Sequence, residues 1–120
     1  MKLKFLLPVV AGFAVLGADG AQAVGPSFTA VVDNAGTLAR GYRAVSATRT
    51  ALGRYQVTFE RNVSACSYTA SVGLPGSSGT ELFGTVSVAP KSGKPKAVFV
   101  ETFDTSGAPA DRGFHLIVAC

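Results

Sequence analysis

Between residues 55 and 73 the chain alternates apolar and polar side chains in two runs. They read Tyr-Gln-Val-Thr-Phe-Glu and Cys-Ser-Tyr-Thr-Ala-Ser-Val-Gly, joined by residues 61–65. Successive side chains of an extended strand point to opposite faces, so Tyr55, Val57 and Phe59 share one face. Cys66, Tyr68, Ala70 and Val72 share one face of the following run. A chain built this way must bury one side of a sheet against a second layer. The short polar connection predicts that the two runs form a β-hairpin.

The rest of the chain punctuates in the same manner. Residues 28–33 read as a strand, followed by the turn signal Asn34-Ala35-Gly36, whose residues tolerate the positive φ of a tight turn. Residues 38–48 read as one weaker returning strand. Its Arg40, Gly41, Arg43 and Ser46 suit a sheet edge, where charge blocks pairing with another molecule. Residues 74–79, Leu-Pro-Gly-Ser-Ser-Gly, form a loop by composition. Residues 84–89, 97–103 and 114–120 are further strands, separated by a basic loop at 90–95 and a polar loop at 104–113. No helical period persists after residue 23. About seven short strands with turn signals between them predict an all-β fold, a small antiparallel β-sandwich or partly open barrel. An outer-membrane barrel would need longer strands and aromatic girdles.

Residues 1–23 have a different character. Lys2 and Lys4 precede an apolar run of about twelve residues, against roughly 20 for a membrane-spanning helix. Ala21-Gln22-Ala23 then supplies a small-x-small ending. These are the parts of a secretory signal helix cut after Ala23. The expected organisation is a signal peptide at 1–23 and a single β-sandwich domain at 24–120, secreted or periplasmic, with no membrane span once the leader is removed. The remainder holds nine basic and six acidic side chains, too mild an excess to predict specific nucleic-acid binding. Cys66 and Cys120 are the only cysteines. An even count in an exported chain predicts a disulfide, with each cysteine on the apolar face of its strand.

Chemistry-bearing residues are sparse. His115 is the only histidine and lies within the last strand, on the face opposite Cys120. No Gly-x-Ser-x-Gly elbow accompanies it. The acids Asp33, Glu60, Glu81, Glu101, Asp104 and Asp111 are scattered. Asp104 and Asp111 bracket a loop that reads as turn capping rather than as a calcium loop. No metal ligand set or cofactor motif is present, so no cofactor is expected. The basic residues form two groups: Arg40, Arg43, Arg49, Arg54 and Arg61, then Lys91, Lys94 and Lys96. On one face they would bind anions; on separate faces they are a solubilising surface.

The order Gly53-x-Tyr55-x-Val57-x-Phe59, then Val63-Ser64-Ala65-Cys66-Ser67-Tyr68, then residues 107–111, Gly113-Phe114-His115-Leu116 and Cys120 resembles an uncharacterised family of small secreted bacterial β-rich proteins. Similar segments also form terminal modules of surface or phage-tail-like proteins. The resemblance runs from about Gly36 onward and carries fold motifs rather than a site. It implies a β-rich module without catalysis and supplies no active-site residues. Together these readings give three expectations, in order. The first is an exported non-catalytic structural, binding or adhesion module with a protein or anionic surface polymer as partner, in monomeric or oligomeric form. The second is an anion-binding protein that uses the arginine-rich edge on polysaccharide or lipid head groups. The third is a small hydrolase built on His115.

Overall fold

The computed structural model describes residues 25–80 and 83–120. The leader read at residues 1–23 lies outside the described residues, as does Glu81. Eight strands form the domain: β1 Ser27–Val32, β2 Leu38–Tyr42, β3 Ala44–Ala51, β4 Arg54–Phe59, β5 Ser67–Val72, β6 Thr85–Pro90, β7 Ala97–Phe103 and β8 Phe114–Ala119. They make two antiparallel four-stranded sheets, ordered β2-β1-β8-β5 and β3-β4-β7-β6. The sheets pack face to face as a β-sandwich.

Period-two alternation selects the inner faces as the sequence reading expects. Phe28, Ala30 and Val32 from β1 and Phe114, Leu116 and Val118 from β8 line the first sheet. Tyr55, Val57 and Phe59 from β4 and Val98 and Val100 from β7 line the second. Two edge-to-face aromatic pairs bridge the sheets, Phe28–Phe59 at 5.7 Å and Tyr55–Phe114 at 5.2 Å. Such pairs add to the burial itself. Fully burying one side chain of this size contributes about 1.5–3 kcal/mol. Two buried hydroxyls find partners: Tyr55 donates to the Asn34 carbonyl at 2.8 Å, and Thr102 to the Ala110 carbonyl at 2.5 Å.

Two expectations about strand partners are corrected. Residues 55–73 are not a hairpin. β4 pairs with β3 and β7, whereas β5 pairs with β8 in the opposite sheet. The connection at 60–66 is long enough to cross the roughly 10 Å between sheets. It is held there by Val63, which is fully buried in the core. The Val63 amide donates to the Pro95 carbonyl at 2.9 Å. Alternation dictates which face a residue takes; it leaves the partner strand open. Likewise residues 38–48 are not one strand. Arg43 has φ 61°, and the chain turns there from the edge of the first sheet to the edge of the second.

The disulfide joins Cys66 to Cys120, with Cα atoms 4.5 Å apart. The cysteines sit just beyond the strand ends: Cys66, just before β5, is half-buried against the core in phase with Tyr68 and Ala70, as expected, whereas Cys120, just after β8, is exposed. Ser67 pairs with Ala119, so the bridge continues the β5–β8 ladder by one step.

Candidate functional site

Antiparallel pairing sorts the loops to two ends of the sandwich. One end carries the β1–β2 turn, the β3–β4 turn and the β5–β6 and β7–β8 connections. The other carries the Arg43 crossover, the 60–66 crossing, the β6–β7 hairpin and the disulfide.

At the first end, Gly53 holds the turn between β3 and β4. Its φ is 65°, and a Cβ there would meet the Thr102 carbonyl oxygen at 2.5 Å. Only glycine fits both conditions. Its amide donates to Asp111 Oδ1 at 2.8 Å, and Arg49 Nε donates to both carboxylate oxygens of Asp111, at 3.0 and 2.9 Å. Burial pushes the Asp111 carboxyl up, but the Arg49 guanidinium and the Gly53 amide outweigh it and hold the group below its ordinary value. Asp104 is held low by the Ser106 hydroxyl and by the Ala108 and Ser106 amides. Its Oδ1 accepts from all three, at 2.7, 3.1 and 2.9 Å. The turn-capping reading of Asp104 therefore holds, whereas Asp111 clamps one loop to another. Arg54 pairs with Glu101 at 3.3 Å. Asp33 Oδ1 accepts the amides of Ala35 and Thr37.

An open concavity of about 570 Å3 lies at the same end, lined by Val72, Leu74, Phe83 and His115 among others. The sequence reading passed over it, because residues 74–79 carry only the composition of a loop. The loop folds back on the outer face of the first sheet. Arg40 donates to the Pro75 carbonyl at 2.5 Å, and His115 Nε2 lies 2.8 Å from the Leu74 carbonyl. A carbonyl only accepts, so Nε2 carries the hydrogen. His115 is thereby half-buried and engaged in holding the loop. Among the described residues no three metal-ligating side chains converge.

The basic residues named from the sequence divide between places. Arg49 and Arg54 lie at the first end, because β3 and β4 run antiparallel and their turn carries both away from Arg43 and Arg61. Arg40 lies on the outer face of the first sheet. These three do not belong to a common anion site with the rest. Arg43, Arg61, Lys91, Lys94 and Lys96 do gather, at the second end. Arg43 pairs with Glu60 at 3.3 Å and lies 4.9 Å over the Phe28 ring. Lys91 lies 5.2 Å over the Phe99 ring. Arg61, Lys94 and Lys96 are exposed, and among the described residues their side chains form no ion pair. Glu60 is the one acid described at this end.

Comparison with known proteins returns no matching family model, no matching curated protein and no matching solved structure.

Proposed function

We propose that this protein is an exported, non-catalytic binding module, a small disulfide-stapled sandwich that presents one charged end to a partner. The observation that carries this reading is the contrast between the two ends. The groups suited to acid–base chemistry are engaged in holding loops: His115 at Leu74, Asp111 between Arg49 and Gly53, and Asp104 in its own turn. Among the described residues, the basic side chains with neither an ion pair nor a hydrogen bond to a loop, Arg61, Lys91, Lys94 and Lys96, collect where β4, β6 and β7 begin or end. Rigid sandwiches with their function on surface loops fit this division of labour. The disulfide supports an oxidising compartment.

The test is co-sedimentation of the oxidised protein with insoluble bacterial cell-envelope material. Saturable retention, equal in a His115→Ala variant and lost when the protein is unfolded, is the expected result. Turnover of an ester, peptide or glycoside substrate that His115→Ala abolishes would establish an enzyme instead. Absence of retention on any envelope fraction would refute the module reading.

A further inference from the structure

We propose that the second end is a docking row for an acidic polysaccharide; this inference rests on the binding-module reading and gives its partner a chemical class. The row follows from backbone pairing. The Glu60 amide donates to the Arg43 carbonyl at 3.2 Å, the Phe59 amide to the Lys96 carbonyl at 2.8 Å, and the Lys91 amide to the Ala97 carbonyl at 3.2 Å. Arg43, residues 59–61, Lys96 and Lys91 therefore stand at the successive ends of β3, β4, β7 and β6. Neighbouring strands are about 4.8 Å apart, so the row spans about 14 Å. The Val63–Pro95 hydrogen bond brings the loop bearing Arg61 against the loop bearing Lys94 and Lys96. A linear polymer with an anion on each repeating sugar meets a cation at nearly every step.

Charge placement strengthens the case. At the first end Asp33, Glu101, Asp104 and Asp111 face Arg49, Arg54 and Arg112, and most of these are engaged in internal bonds. At the second end Glu60 is taken by Arg43. The positive excess of the described domain is thus concentrated on Arg61, Lys91, Lys94 and Lys96. Three of those four are lysines, compact and strongly hydrated point charges on flexible stems.

The surroundings favour a saccharide over a nucleic acid or an anionic bilayer. Serial base stacking needs several exposed aromatic faces, but Lys91 covers Phe99, Arg43 covers the buried Phe28, and among the described residues Tyr42 is the one exposed aromatic beside the row. A bilayer needs an apolar surface to seat among its headgroups. Of the exposed large apolar residues described, Leu52 and Phe83 lie at the far end and Ile117 on the outer face of the first sheet, which leaves only Tyr42 and Val45, on either side of Arg43 and Ala44, beside the row.

The experiment is calorimetric titration of the oxidised protein with polygalacturonate. Dextran, a single-stranded oligonucleotide and phosphatidylglycerol vesicles serve as comparison probes. Polygalacturonate should bind, dextran should not, and raised salt should weaken binding steeply. Lys94→Ser/Lys96→Ser should weaken binding at least about tenfold. Arg40→Ser/Arg54→Ser, which removes equal charge elsewhere, should change it less than about twofold. Matched thermal unfolding of the two variants confirms that both are folded. Equal losses in both variants, or none in the lysine variant, would overturn the row. Tighter binding to the oligonucleotide or the vesicles would overturn the saccharide assignment. Retention on envelopes without polygalacturonate binding would leave the module reading standing and remove this one alone.

Discussion

Arg43 occupies a backbone region that non-glycine residues rarely adopt. Its side chain offsets that cost by pairing with Glu60 and covering Phe28. Removing the side chain while keeping a Cβ loses both contacts and keeps the strain. Arg43→Ala should therefore lower stability by about 1–2 kcal/mol, and Arg43→Gly by less. Urea midpoints of the two variants measure the difference, and the order reverses if the φ carries no strain. Asp111 gives a second prediction. Its carboxyl and that of Asp104 titrate lower in the fold than in the unfolded chain. Stability from these groups is complete above the unfolded value, near about pH 3.9, and is lost as pH falls through the lower folded values. The urea midpoint should hold steady near neutrality and drop below about pH 4. Asp111→Asn should lower the neutral midpoint and flatten that drop. The turn cap at Asp104 was legible in the sequence; the roles of Arg43 and Asp111 were not. Arg43 read as an edge charge and Asp111 as a turn cap, because their partners Glu60, Arg49 and Gly53 are supplied by other elements.

At the scale of elements, most strands were legible, as was the return of β2 on β1, but the break at Arg43 and the partner of β5 were not. Alternation picks out Tyr55, Val57 and Phe59 as one inner face whichever sheet they join, so the core of β4 follows from sequence alone. The partner of β5 depends on whether residues 60–66 turn back or cross, and composition is polar in either case. Val63 is the residue that decides it. A valine in a tight polar hairpin loop would face solvent, whereas here it lies fully buried between the sheets. Val63→Ala should cost about 2 kcal/mol, the scale of a core truncation rather than of a surface change. Thermal unfolding would check this; a shift no larger than that of an exposed control such as Val45→Ala would contradict the crossing's structural role. The basic cluster dispersed for a similar reason. Five arginines close in sequence straddle a crossover and a hairpin, so the chain carries them to both ends and one outer face.

For the whole molecule, the disulfide joins residues 54 apart in sequence. Closing a loop of that length restricts the unfolded chain by about 4 kcal/mol in the chain-entropy model. A domain this small has a total stability of about 5–15 kcal/mol, so reduction should shift its unfolding midpoint far more than any single substitution above. Denaturation with and without a phosphine reductant measures this. A midpoint unchanged by complete reduction would show that the bridge adds nothing. The Cys66–Cys120 pairing was legible because two cysteines allow one pairing. The end-to-end segregation of charge was not, since it appears only once strand direction assigns each loop to an end.

Strand β8 lies between β1 and β5, which do not pair with each other. The four strands of the second sheet all precede β8 in the chain. A ribosome or export channel releasing the chain amino end first could let β3, β4, β6 and β7 assemble early. β5 and the β1–β2 pair would remain separate until Phe114–Ala119 arrived to lie between them. The same late arrival brings Cys120 beside Cys66. Completion of the first sheet and oxidation of the thiols are thus set up as one terminal event, and disulfide formation would report when folding has finished.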